Sequence, residues 1–208
     1  MITTLSFIVL IFSIIAHEVA HGYAADSLGD PTARLAGRLT LNPLPHIDPM
    51  GSIIIPAILM LSNSPLLFGW AKPVPYNPYN LKDSRFGEAL VAVAGSATNI
   101  FIATIFGLIV RFGADIVSPS ALTFAATIAF VNLFLGLFNL MPFPPLDGFT
   151  VLRSALPWHW SSNLQHFEQR IRNMGVVSLI LFLITFSYIL SGPFFRLVTL
   201  IFRALVGV

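Results

Sequence analysis

Cysteine is absent from the 208 residues. No disulfide can form and no thiolate can hold a metal, so any bound ion must take His, Asp or Glu. Charge is nearly as scarce. Ionisable Asp, Glu, Lys and Arg make up 10% of the chain against 56% hydrophobic residues, far from the composition of a soluble domain. The net charge of +2 comes without any basic tract interleaved with aromatics, and the arginines flank apolar runs instead. That excludes a nucleic-acid partner. No Lys or Arg precedes the first apolar run, the first being Arg34, and no small-residue cleavage site closes it. The run is therefore expected to be retained, not removed as a signal peptide.

What is present is apolar sequence in spanning lengths. Stretches 2–27, 85–112, 121–140 and 175–190 each read as a membrane helix. Residues 194–208 either span or lie in the interface, because Arg196 and Arg203 fall on one face. Residues 50–70 are broken by Pro56 and by the Ser62-Asn63-Ser64-Pro65 turn. Each arm is too short to cross alone, so a re-entrant hairpin competes with one distorted span. Alternation through Arg38-Leu39-Thr40-Leu41-Asn42 reads as a short strand, and 153–173 as polar and exposed or interfacial. The fold class expected is an all-α polytopic membrane protein. It is a bundle of about five to six transmembrane helices with a re-entrant hairpin and short β segments near the cytoplasmic face. One domain covers 1–208, with a catalytic core at about 5–152 and C-terminal helices at about 174–208.

Inside the first run stands Ala16-His17-Glu18-Val19-Ala20-His21-Gly22. Histidines four apart on a helix lie about 40° from each other around its axis, so both imidazoles face one way. Glu18 lies about 100° from His17, which puts its carboxylate beside the same spot. The pattern is that of two imidazole ligands to zinc, with a carboxylate poised over a water on the metal. Two packed histidines and an accidental acid would be the alternative. Burying an acid in an apolar span costs roughly 2.5–3.5 kcal/mol, whereas zinc binding returns on the order of 10 kcal/mol. The metal reading is preferred.

Two histidines leave zinc needing a third protein ligand and an open position. Most of the remaining acids sit in polar stretches, where solvated charge is the simpler account. Asp147 differs: it follows an apolar span directly, in a proline-rich segment, and Gly148 lets the backbone approach closely. Its use as ligand requires the first helix and the 121–140 helix to run in the same direction. An even number of crossings must then separate them, which the hairpin reading of 50–70 satisfies. With that topology Arg34, Arg38, Lys72, Lys82, Arg85, Arg153, Arg170 and Arg172 share one face and Arg111 and Arg196 lie opposite, the asymmetry of a cytoplasmic side.

These stretches resemble the site-2 proteases, intramembrane zinc metalloproteases, in their short bacterial and archaeal form without a PDZ or CBS domain. The resemblance rests on His17-Glu18-Val19-Ala20-His21, on Gly69-Trp70-Ala71-Lys72-Pro73-Val74 and on Ala94-Gly95-Ser96-Ala97-Thr98-Asn99. It rests equally on Asn139-Leu140-Met141-Pro142-Phe143-Pro144-Pro145-Leu146-Asp147-Gly148, with Asn42-Pro43-Leu44-Pro45-His46 as a fifth pattern. Ser96 stands where the family usually has Pro, and Phe149 where a second Gly is common. The resemblance implies that His17, His21 and Asp147 bind one Zn2+ and that Glu18 is the catalytic carboxylate. It also implies a transmembrane protein as substrate and a multi-pass location in a cell membrane.

Asn99 and Asn139 lie in or beside spans. Each either bonds a neighbouring helix backbone or donates to a substrate carbonyl or oxyanion, and by the resemblance Asn139 is the better candidate. His46 is either a capped loop histidine or a group at the oxyanion. A zinc-containing scaffold or chaperone without proteolysis has no need of Glu18, and a metal transporter would repeat ionisable residues along several spans.

Overall fold

The computed structural model describes residues 2–61 and 71–208. It is an all-α polytopic membrane protein. Among the described residues four helices are long and apolar enough to cross a membrane: Leu5–Ser27, Phe86–Phe112, Pro119–Asn139 and Ile180–Val206. They lie within α1 (Ile2–Ser27), α4 (Ser84–Phe112), α5 (Pro119–Asn139) and the run that ends the chain. Between them stand α2 (Thr32–Leu35), α3 (Ile55–Leu61), α6 (Asp147–Ala155) and α7 (Trp158–Asn173).

Helix ends follow local chemistry. The chain leaves α1 through Gly29, whose φ of 109° suits a residue without Cβ, and Pro31 prevents any continuation. Before α4, the Asp83 carboxylate accepts from the Phe86 amide at 3.0 Å. Before α5, Ser118 caps the Ala121 amide at 3.4 Å, and Pro119 occupies the first helical position, where a missing N–H costs nothing.

Five to six spans were expected; among the described residues four helices are long and apolar enough to cross. A break at Gly192-Pro193 does not occur: α8 (Val176–Thr185) passes through a π turn (Phe186–Leu190) directly into α9 (Ser191–Val206). A π turn shifts the hydrogen-bond register by one residue, which makes room for a proline ring whose N–H is absent. Two short spans are thus one long helix.

No strand forms among the described residues, so the expected β segments are not found. At Arg38-Leu39-Thr40-Leu41-Asn42 the reason is specific. Arg38 donates through Nη2 to the carbonyls of Lys72 at 2.7 Å and Pro73 at 3.3 Å, taking acceptors that a ladder would need. Pro73 and Pro75 have no N–H to offer in return.

Helix directions follow from pairs of contacts. Asn132 of α5 bonds Ser13, nearer the start of α1, and Asp147 beyond α5 meets His17 and His21, nearer its end. Helices α1 and α5 therefore run the same way. On α4 the order is reversed, with Val91 at His21 and Asn99 at His17. The Lys82 amide donates to the Leu28 carbonyl at 3.0 Å, so the chain between α1 and α4 returns to the end it left. The second arm of the expected hairpin, 66–70, lies outside the described residues.

The apolar core has two parts. Ala103, Leu133, Phe194 and Val198 are buried where α4, α5 and α9 meet, with Phe130, Phe134, Phe138 and Phe186 packed edge to face around them. Ala25, Leu81 and Val91 form a second cluster beneath the site.

Candidate metal centre

Two elements, α1 and α6, bring His17, His21 and Asp147 together. Their donor atoms all lie within 4.8 Å of one another. His17 Nε2 and His21 Nε2 are 2.9 Å apart, and Asp147 Oδ2 is 3.0 Å from the first and 3.3 Å from the second. Donors about 2.0–2.2 Å from a tetrahedral zinc are separated by roughly 3.3 Å, so this triangle is close to the size the ion requires.

Which nitrogen faces the centre is settled by the far side of each ring. His21 Nδ1 donates to the Val91 carbonyl at 2.7 Å. His17 Nδ1 lies 2.7 Å from Asn99 Oδ1. The Asn99 amide nitrogen donates to the Ser13 carbonyl at 3.1 Å and to Asn132 Oδ1 at 2.8 Å, which turns its oxygen toward His17 as acceptor. Both rings therefore carry hydrogen on Nδ1 and point an Nε2 lone pair inward. Asp147 Oδ2 is buried and accepts no hydrogen bond. Two lone pairs and a carboxylate oxygen aimed at one point repel each other unless a positive charge sits between them. The donor set fits zinc.

A proton can fill part of that demand. Burial raises the carboxyl of Asp147, but with a proton on a facing Nε2 in place of the ion, hydrogen bonding and charge from His17 and His21 outweigh it and hold the group down to about 2. Asp147 is consequently ionised at neutral pH and ready to serve as a ligand.

The surroundings are shaped for close approach. A Cβ on Gly95 would stand 2.6 Å from His21 Nε2 and 2.7 Å from His17 Cε1. Gly148 packs against the Leu140 carbonyl where a side chain has no space. Asp147 is not in an irregular segment as its prolines suggest; it is the first residue of α6, preceded by a cis Pro144–Pro145 bond.

Glu18 accepts from the Val74 amide through Oε2 at 2.9 Å. The irregular, proline-containing stretch 71–77 therefore runs beside this carboxylate at Val74.

Residues 109–183 match the profile of peptidase family M50. The chain is 40% identical over 157 residues to "Putative zinc metalloprotease YwhC" of Bacillus subtilis, covering 72% of this chain and 68% of that protein. It belongs to peptidase family M50, the site-2 proteases. A second relative, "Putative zinc metalloprotease Rip2" of Mycolicibacterium smegmatis, is 29% identical over 192 residues, covering 90% of this chain and 69% of Rip2. Rip3 of Mycobacterium tuberculosis is 32% identical over 103 residues, covering 49% of this chain and 26% of that protein. No solved structure matches the chain. This M50 chain is a zinc metalloprotease embedded in a membrane, and Zn2+ is its cofactor.

The remaining candidate residues have protein partners of their own. Asn99 is fully buried behind His17 with its amide hydrogen-bonded. Asn139 donates to the Leu135 carbonyl of its own helix at 3.0 Å. His46 is buried and pins its loop, its Nε2 2.9 Å from the Thr40 carbonyl. Sequence reasoning missed Asn132, Ser13 and the Val91 carbonyl. A carboxamide and a hydroxyl inside apolar spans were signals for the first two; a backbone carbonyl leaves none.

Proposed function

We propose that this M50 protease hydrolyses peptide bonds within or near the transmembrane segments of membrane-protein substrates. The supporting observation is that two metal donors and Glu18 all sit on α1, a helix long and apolar enough to span. His17, His21 and Asp147 would hold the ion. Zinc held there supplies Lewis acidity, polarising the scissile carbonyl and bringing the pKa of water toward about 7. Glu18 takes the proton from the attacking water and delivers it to the leaving amine. The Val74 amide keeps that carboxylate oriented, while Asn99 and Val91 keep the two rings in the metal-binding tautomer. A helical substrate shields its own peptide bonds, so it unwinds locally beside the proline-containing stretch 71–77.

The active site lies nearer the cytoplasmic face of a cell membrane in this reading. Its support is the basic set Arg34, Arg38, Lys72, Lys82 and Arg153 at the site's end of the bundle, with Arg111 at the other end of α4. Residues 1–208 act as one domain, with catalysis in about 5–152.

The test is Glu18→Gln, assayed by co-expression with candidate single-span proteins. Zinc content is expected to persist while fragments disappear, a loss of at least about a hundredfold in rate. Unchanged fragment yield would refute the role of Glu18. Client stabilisation without fragments from either form would point to a scaffold.

A further inference from the structure

Most acids outside the zinc site were expected to be solvated, yet Asp30, Glu88 and Glu168 are not, and the last two share one partner. Glu88 on α4 and Glu168 on α7 both engage Arg153 on α6. Arg153 Nη2 pairs with Glu88 Oε2, and Arg153 Nε lies 3.5 Å from Glu168 Oε2. These side chains are only 14%, 15% and 9% exposed for Arg153, Glu88 and Glu168. Arg172 closes the chain from the surface, 2.5 Å from Glu168 Oε1. Charges taken so far out of water are retained only when their pairing is close to complete.

The position of this cluster gives it a further meaning. Helix α6 has nine residues; Asp147 is its first, and Arg153 lies in its last turn. Leu146, ahead of it, offers no side-chain cap. Gly148 seats the start of α6 against the Leu140 carbonyl, and toward its other end a guanidinium held by carboxylates on two other helices restrains the rotation of the helix about its axis. Six residues of helix rise about 9 Å, so the anchor sits within two turns of the ligand.

Glu88 also falls in register with the other supports. Val91 orients His21 and Asn99 orients His17, while Gly95 gives both rings their space. Residues 88, 91, 95 and 99 follow the spacing of one helical face. The same stripe of α4 thus reaches each of the three donors.

We infer that Arg153, held by Glu88 and Glu168, is a positioning residue for the zinc ligand Asp147, and that one face of α4 sets the geometry of all three donors. This rests on Asp147 being a zinc ligand.

The experiment measures zinc affinity of the full chain in detergent by competition with a chromophoric chelator. Four variants are compared with the parent: Asp147→Asn, Arg153→Met, Arg153→Lys and the double variant Glu88→Gln/Arg153→Met. Amide hydrogen exchange over 147–155 is followed in each metal-free protein. Arg153→Met is expected to weaken zinc binding about tenfold or more and to accelerate exchange in α6. Arg153→Lys, which keeps the charge without the fork, is expected to fall between it and the parent. If Arg153→Met folds poorly because it strands Glu88, the double variant removes both charges and should still bind zinc weakly. Parental zinc affinity in the double variant, with α6 exchange unchanged, would overturn the inference. If Asp147→Asn itself leaves zinc affinity intact, the ligand assignment is what has failed.

Discussion

Asn99 Oδ1 accepts from His17 Nδ1 at 2.7 Å, and this contact decides which ring nitrogen is left for the metal. The carboxamide cannot simply rotate, because its nitrogen is committed to Ser13 and Asn132. A buried amide in an apolar span, for which the sequence left open a helix-backbone partner or a substrate, bonds the α1 backbone and orients His17.

Asn99→Leu is therefore expected to lower zinc affinity by about ten- to a hundredfold. Asn99→Asp keeps an acceptor toward His17 and should lose less. Zinc competition titrations on the two variants separate a lost acceptor from a general packing defect; equal losses would argue against the tautomer role.

Gly95 offers a steric test. Gly95→Ala places a methyl 2.6 Å from His21 Nε2, closer than any real contact, so the rings must move. Zinc content of purified protein is expected to fall sharply. Gly192→Ala, with nothing within 4 Å, is the control and should retain both zinc and stability.

Asp30 governs the acid sensitivity of the loop behind the site. Its fully buried carboxylate accepts from Thr32 Oγ1 at 2.5 Å, the Asn77 amide at 2.6 Å and Asn80 Nδ2 at 2.8 Å. Burial disfavours the charged form, but those donors outweigh it and bring the pKa below the ordinary 3.8. A depressed folded-state value contributes stability above the ordinary pKa, and the contribution is lost as pH falls below it. Thermal stability should decline more steeply on acidification through that range in the parent than in Asp30→Asn. Parallel pH profiles for the two would show that these bonds do not hold the segment 77–80.

How far sequence alone reached differs from element to element. The α1 motif declared itself because helical periodicity puts residues 17, 18 and 21 on one side without help from any other part of the chain. Asp147 was found because an acid after an apolar run is costly unless used. The C-terminal helix was misread: a proline normally ends a helix, and only the register shift of a π turn carried it through. The Arg38 stretch was misread as well, since its alternation is real but the ladder partner was replaced by a guanidinium.

Local spacing and composition determined the membrane class, the candidate metal-binding pair and the candidate third ligand, because each depends on residues close in sequence or on the cost of charge in lipid. The supports of that centre were decided by tertiary structure alone. Asn99, Val91, Glu88 and Arg153 act across α1, α4 and α6 over separations of 82, 70 and 65 residues. Only the packing of helices determines which of many possible donors and acceptors meets which.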